Sequence, residues 1–381
     1  MKSNPLNNKE ITMVIANSAV LPGKGQPFEV REVEWDDPRD DEIGVRVTAC
    51  GVCHSDWHCV EGDFAVEYPI VCGHEGGGIV ETVGKKVTRV KKGDKVVMAF
   101  IPSCGHCKPC ITGQGQLCDS GANIMSGMRD DGTFRIRDRQ GKKIDQFAYL
   151  GAFGEYVTIP ENGCIRVDPS VDLAKIAIIG CRVPTGWGAV VNTGRAQQGC
   201  TGMVVGLGGV GINAVQGFKS VNATIIIGVD KNASKKKWAL EWGCTHFIDS
   251  SKQGVVEEVM KITGIGVDIA VDAYGHPDIV NWCEQAIHKN GTAVWVGIPA
   301  VGIMNYPMHV YADVLMQKSF LGCLYGGTSP QEAIPQLMDM YKAGNLKLDE
   351  LITKYYRLDQ LNEAYADMLA GKNLCGCIRM D

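Results

Sequence analysis

The chain has 381 residues, 45% of them hydrophobic and 21% charged, which supplies two cores and excludes a mainly disordered protein. Its net charge of −5, from 38 basic and 43 acidic side chains, argues against a nucleic-acid backbone binder. No stretch of about 18 apolar residues occurs, so no membrane span is expected.

The polar start, Met1–Glu10, and the short apolar run Thr12–Leu21, broken by Asn17 and Ser18, read as lacking a signal peptide. Residues 12–100 carry short alternating runs, Ile43–Ala49, Gly78–Gly84 and Lys95–Ala99, punctuated by Gly and Asp. They predict an irregular β-rich barrel. Four cysteines fall within 104–118, and the polar stretch 119–147 reads as a surface loop. From about Gly199 the rhythm becomes strand then helix. Strands are predicted at 203–206, 224–230, 246–248, 267–272, 292–297 and 319–322. Helices are predicted at 210–221, 235–243 and 255–263, and from Pro277 to about His288. Apolar strands alternating with helices predict a parallel sheet covered on both faces. The tail from Pro330 reads as helical with one short strand near Tyr355, returning to the first domain.

Gly206-Leu207-Gly208-Gly209-Val210-Gly211 fits G-x-G-x-x-G. It follows an apolar strand and opens a helix, and Asp230 ends the next strand 24 residues after Gly206. That context predicts a dinucleotide site, with the pyrophosphate on the helix N-terminus. A carboxylate at Asp230 would accept from ribose hydroxyls and repel a 2′-phosphate, favouring NAD over NADP. The 16 cysteines sit in a chain read as unexported, where clustered thiols suggest metal before disulfides. Cys104, Cys107, Cys110 and Cys118 can reach one tetrahedral zinc ion; an iron–sulfur cluster is the competing reading, and no Pro follows the last cysteine. Cys53, His74 and Cys181 would form a Cys2His set with an open fourth position, although spacing alone does not join residues so far apart.

The segments Gly51-Val52-Cys53-His54-Ser55-Asp56 and Gly73-His74-Glu75-Gly76-Gly77-Gly78, the four-cysteine lobe, Gly180-Cys181 with Thr185-Gly186, and the glycine turn run from one end of the chain to the other. On them the chain resembles the zinc-dependent medium-chain alcohol dehydrogenases. Val183-Pro184-Thr185-Gly186-Trp187-Gly188 and Gly211–Gly217 are similar to the branch containing bacterial nitrosoaniline-dependent nicotinoproteins. The resemblance implies an α/β fold: a GroES-like β-rich catalytic domain over 1–182 and 325–381, with a Rossmann doubly wound parallel-sheet domain over 183–324. It implies two zinc ions per chain, a catalytic one on Cys53, His74 and Cys181 and a structural one on the four-cysteine lobe, with NAD as cofactor. Ser55 matches the hydroxyl that bonds the alcohol oxygen, and His58 the outer histidine of a proton relay. Asp56 matches the carboxylate that orients the ligand histidine, and Glu75 the acid behind the zinc. His54, Thr185, Gly206, Gly208, Gly209, Val210, Gly211, Asp230 and Lys235 match cofactor-contacting positions. Phe64, Phe100, Tyr149 and Leu150 fall on substrate-lining positions, as does Asn123.

The activity so implied is reversible oxidation of a primary or secondary alcohol to aldehyde or ketone with NAD. Ser55 in place of Thr leaves room beside the metal and points to bulky, aromatic or allylic alcohols. A nicotinoprotein that retains its NAD and uses an external acceptor is the alternative, and a non-catalytic zinc- and NAD-binding redox sensor is the alternative from another class. The pyrophosphate clamp departs from the family: Cys375 stands where relatives carry arginine, and His54 where some do, with Arg182 as a candidate replacement. The long stretch from Cys118 to Cys181 goes with dimers in this family, so a homodimer is expected, with a tetramer as the alternative. The expected partners are small alcohols and carbonyls, with no nucleic acid and no membrane, and the expected location is the cytoplasm.

Overall fold

The Gly- and Val-rich alternation of the first half folds into β1 (Met13–Leu21), β2 (Glu29–Asp36), β3 (Glu42–Val52), β4 (Ile70–Val71), β5 (Gly76–Val83) and β6 (Lys95–Met98), with the helix α1 (His54–Glu61) between β3 and β4. This is a computed structural model, and it describes residues 13–300, 302–303, 305–306 and 308–380. The polar start Met1–Glu10, which reads as no signal peptide, lies outside the described residues. There follow α2 (Lys108–Ile111), β7 (Ile136–Arg137), β8 (Lys143–Gln146), β9 (Tyr156–Pro160), β10 (Cys164–Arg166), α3 (Leu173–Ile176) and α4 (Arg182–Gly188). Strands β1, β2, β7, β8 and β4 close a barrel, and a seven-stranded sheet lies beside it, ordered β10-β6-β5-β3 and then the two C-terminal strands Cys375–Arg379 and Ile352–Arg357, with β9 also on β3. The expected β-rich barrel is therefore present, filled by Trp35, Phe153, Tyr156 and Tyr365.

The second half is β11 (Thr201–Val205), α5 (Gly209–Ser220), β12 (Ile225–Asp230), α6 (Lys236–Trp242), β13 (His246–Asp249), α7 (Val255–Thr263), β14 (Val267–Asp272), α8 (Pro277–Ala286), β15 (Ile287–Trp295), α9 (Val310–Leu315) and β16 (Ser319–Gly322). All six strands pair in parallel in the order β13-β12-β11-β14-β15-β16. Chain order reverses between β11 and β14, the place where an open α/β sheet leaves a crevice at its carboxyl edge. The tail is α10 (Pro330–Lys342), β17 (Ile352–Arg357), α11 (Leu361–Leu369) and β18 (Cys375–Arg379), and β18 pairs antiparallel with β3. It thus returns to the first domain.

Three local readings are corrected. The stretch 119–147 is not a plain surface loop: β7 and β8 close the barrel, and Arg129 and Arg135 are buried on Glu42 through bonds of 2.6 and 2.7 Å. The helix opened by Pro277 stops at Ala286, because Ile287 already enters β15 beside Val267. The tail holds two strands rather than one, since Cys375–Arg379 opens on Cys-Gly-Cys, which carries little strand signal.

Candidate active site

The four-cysteine lobe is pinned by short local turns. Cys107 caps α2, and the amides of Cys104 and Cys107 point at the sulfurs of Cys118 and Cys104 at 3.2 and 3.4 Å. Cys104 Sγ lies 3.9 Å from Cys110 Sγ, and Cys107 Sγ lies 3.8 Å from Cys118 Sγ. A tetrahedron with metal–sulfur bonds of about 2.3 Å has edges of about 3.8 Å, so the four sulfurs fit one zinc ion. Burial pushes Cys104 up, but the amides around it outweigh that and hold it at about 6, whereas burial and then the Cys107 thiol push Cys110 up to about 12.

The second cluster joins distant segments. Cys53 follows β3 at the N-cap position of α1, His74 precedes β5, and Cys181 precedes α4. Their donor atoms, with a carboxylate oxygen of Glu75, all lie within 4.8 Å of one another in a buried setting. His74 Nδ1 sits 2.9 Å from Asp56 Oδ2, and the other Asp56 oxygen accepts the Gly73 amide at 2.7 Å. His74 Nε2, like Nδ1, is buried and makes no hydrogen bond of good geometry, and a buried bare nitrogen beside two thiols is what a metal ligand set requires. A hydrogen bond with Cys181 holds the Cys53 thiol well below its ordinary value, and the same bond pushes Cys181 up. Zinc fits this donor set, with Cys53, His74 and Cys181 as ligands and one position open.

Glu75 is fully buried and tied to Arg182. The Arg182 amide and Nε donate to it at 3.0 and 2.9 Å, Nη2 closes a further short bond, and Nη2 also donates to Val52 O at 2.7 Å. The Arg182 guanidinium therefore serves the carboxylate behind the metal cluster. Its other edge reaches the glycine turn, where a Cβ on Gly209 would sit 3.1 Å from both Arg182 Nη1 and Cys375 Sγ.

Helix α1 carries the remaining polar groups. Ser55 Oγ lies 3.8 Å from Cys53 Sγ, and His58 Nδ1 lies 2.8 Å from Asp63 Oδ2. Desolvation by the surrounding protein, and then the neighbouring His58, hold the His54 imidazole below its ordinary value, although its outer edge is exposed. Trp57 points inward and packs on Tyr365 with ring centres 5.2 Å apart.

The glycine turn follows β11. Gly206 has φ +91°, a conformation open to glycine, and a Cβ on Gly211 would strike Gly206 O. Gly208 has nothing within 4 Å of its Cβ position, so open space lies over the start of α5, as a pyrophosphate cradle requires. Asp230, at the end of β12, accepts from the Leu207 amide at 2.9 Å and from Lys235 Nζ at 2.8 Å. Thr185 and Val210 are half-buried near the starts of α4 and α5. A dinucleotide fits this turn.

Of the four lining candidates, Phe100 borders the cluster and Phe64 lies beside His58 and Phe147. Phe100 stands edge-on to His74 at 5.6 Å, and Phe64 lies 5.1 Å from the His58 ring. Tyr149 instead faces Arg129 at 5.5 Å and accepts the Asn123 amide at 3.0 Å, and Leu150 is buried in the barrel core. Two further aromatics join them that sequence reasoning missed. Phe147 stands edge-on to His74 at 5.8 Å, and Tyr325 lies 5.2 Å from Phe100 with its buried hydroxyl unpaired. Phe147 sits in the stretch whose composition reads as loop, and nothing local in the sequence marks Tyr325.

Comparison with known proteins gives matches over most of the chain. Residues 39–169 match the family model "Alcohol dehydrogenase GroES-like domain", and residues 209–343 match "Zinc-binding dehydrogenase". An NDMA-dependent alcohol dehydrogenase of Amycolatopsis methanolica is 40% identical over 363 residues, covering 95% of this chain and 98% of that one. A putative alcohol dehydrogenase D of Mycobacterium tuberculosis is 41% identical over 365 residues, again covering 95% and 98%. Among solved structures, benzyl alcohol dehydrogenase from Acinetobacter calcoaceticus superposes with a TM-score of 0.91 at 31% identity, covering 97% of this chain and all of that one. A zinc-binding-domain alcohol dehydrogenase protein from Burkholderia ambifaria gives 0.92 at 34%, with the same coverage.

Proposed function

The chain belongs to the zinc-binding alcohol dehydrogenase family and is an oxidoreductase, and from that premise we propose that it oxidises an alcohol to the aldehyde or ketone with NAD that exchanges at each turnover. The observation that carries this is the buried Cys53, His74 and Cys181 cluster, with an unpaired His74 Nε2 and the Ser55 hydroxyl beside it. We assign the zinc half to 1–182 and 325–381 and the NAD half to 183–324.

Bound in these sites, zinc supplies Lewis acidity toward an alcohol oxygen, and NAD accepts the hydride. Ser55 accepts the alcohol proton in a hydrogen bond. Ser55 and His58 are three residues apart on α1 and so share a face of the helix. Asp63 fixes the His58 proton on Nδ1, which leaves Nε2 as the basic nitrogen that passes the proton outward. Asp56 holds the His74 ring, and the Arg182–Glu75 pair walls the rear of the cluster. Phe64, Phe100 and Phe147 favour aromatic or allylic alcohols, and the name of the Acinetobacter benzyl alcohol dehydrogenase supports the same class.

Three features support NAD that dissociates. Cys375 carries no charge at the glycine turn, His54 is held toward its neutral form, and the Arg182 charge is shared with Glu75. The name of the Amycolatopsis relative supports a second reading, in which NAD stays bound and another substrate re-oxidises it. Our reading of the location is the cytoplasm, supported by sixteen free cysteines, and of the assembly a homodimer acting on small alcohols. Among the described residues no helix is long and apolar enough to cross a membrane.

An alcohol panel with NAD and with NADP, run on protein of measured zinc content, tests the proposal. NADH absorbance should rise with benzylic alcohols and not with NADP. NAD that co-elutes on gel filtration and is released only by acid would replace dissociable NAD with the retained form. No absorbance change with any alcohol, on fully zinc-loaded protein, would leave the non-catalytic sensor.

A further inference from the structure

A third ligand set lies at the outer end of α1. His54, His58 and Glu61 fall at positions i, i+4 and i+7, one face of a single helix, and one donor atom from each lies within 4.8 Å of the others. The set is separate from the two sulfur-rich clusters and uses none of their ligands. His54 and Glu61 are exposed, while His58 is 8% exposed.

The site is built rather than accidental. The two imidazole rings stand 5.1 Å apart at 72°. Gly62, left-handed at φ 73°, ends the helix and turns the chain back, so that the Asp63 amide reaches His58 O at 2.9 Å and the Asp63 carboxylate reaches His58 Nδ1 at 2.8 Å. A carboxylate on one imidazole nitrogen holds the proton there and leaves the other as a lone-pair donor, the usual support of a metal-binding histidine.

We propose that His54, His58 and Glu61 form a third, solvent-facing site for a divalent transition-metal ion, and that an ion bound there inhibits alcohol oxidation by occupying the His58 nitrogen that passes the proton out. Two imidazoles and one carboxylate suit zinc, nickel, cobalt or copper, and do not suit magnesium, which takes oxygen ligands in a near-octahedral shell. Three protein donors leave the remaining positions to water, so this ion binds more weakly and exchanges more readily than ions in the buried sets. The inhibitory half rests on the reading of His58 as the relay base, and the binding half does not.

The test uses the full zinc-loaded enzyme, passed over a chelating resin to strip loosely held metal. Equilibrium dialysis against nickel chloride near neutral pH, with nickel and zinc both measured by elemental analysis, should show one nickel taken up per chain and the zinc content unchanged. Glu61→Gln should weaken nickel uptake by at least about tenfold, as loss of a ligand contact implies, while leaving activity in metal-free buffer unchanged. His54→Gln should weaken it likewise. Activity of the unaltered enzyme should fall as nickel binds and return on brief exposure to EDTA. No nickel uptake, uptake matched by zinc loss, or uptake as tight in Glu61→Gln would overturn the site. Uptake that depends on Glu61 but leaves activity intact would overturn the inhibitory half. If the protein oxidises no alcohol at all, nickel uptake still decides the site.

Discussion

Arg182 shows how one side chain can serve two neighbourhoods. Its guanidinium is buried against Glu75 on one side and reaches Gly209 and Cys375 on the other. Removing one partner of a buried ion pair leaves the other charge stranded, at a cost of about 3–5 kcal/mol. Arg182→Ala should therefore lower the melting temperature sharply, and because the Arg182 guanidinium also holds Glu75 beside the Cys53, His74 and Cys181 cluster, zinc content should fall with it. The same geometry decides what a restored clamp needs. An arginine placed at position 375 alone would push a second guanidinium against Arg182 in a buried space, so Cys375→Arg should destabilise without tightening NAD. The exchange Cys375→Arg with Arg182→Gly removes that repulsion and gives the turn a bidentate cation, which should lower the NAD dissociation constant by roughly tenfold or more, readable by fluorescence titration, but it strands Glu75 as Arg182→Ala does and should show the same fall in melting temperature. Two other residues bear on the cofactors. Cys181→Ser should abolish turnover and remove about one zinc of two per chain while circular dichroism stays native, and an active Cys181→Ser protein would overturn the ligand assignment. Asp230→Gly should narrow the preference for NAD over NADP, since it removes a carboxylate and also frees Lys235, now 2.8 Å from Asp230, to meet a 2′-phosphate.

At the scale of elements, the stretch 119–147 carries the largest difference between pattern and structure. Its polar, arginine-rich composition reads as solvent-facing, yet it brings Arg129 and Arg135 onto the buried carboxylate of Glu42 at the start of β3. Burial pushes that carboxyl up, but the two guanidiniums, Arg129 foremost, outweigh it and hold it below the ordinary range. A lowered carboxylate contributes stability above its unfolded value, and that contribution is lost as the pH falls through the folded value. Glu42→Gln should thus cost about 3–5 kcal/mol near neutral pH, with less difference from the unaltered protein in acid, as melting curves across pH would show. What could be read directly from the chain was periodic or punctuated: the six parallel strands, α7 to its end residues, the glycine turn, and four cysteines in one short run. What could not be read was set by tertiary partners. The strands β7 and β8 are two and four residues long and exist because the barrel needs closing. Phe147 faces His74 only because β8 delivers it there, and Cys53, His74 and Cys181 meet only because β3, β5 and α4 converge. Family resemblance joined that trio, where spacing did not.

The whole molecule leaves an apolar ledge at one end of the parallel sheet. On α9, Val310, Tyr311, Val314 and Leu315 are 65%, 82%, 72% and 70% exposed, and the adjacent strand β16 is the sheet edge, with Leu321 and Leu324 also open. Neighbouring large apolar side chains on a monomer mark an interaction surface, and an unpaired edge strand is a template for another strand. A two-fold axis beside β16 would pair it with its own copy and bury both features in one isologous contact, which is the geometry behind the homodimer reading. Sedimentation at micromolar protein should therefore show a dimer. Leu315→Asp with Val314→Asp places charges in the centre of the ledge, far from the zinc ligands, so it should yield a monomer that keeps both zinc ions. A monomer from the unaltered chain would remove the pairing argument altogether. A tetramer would leave the edge pairing intact and count only against the inference from the long stretch between Cys118 and Cys181.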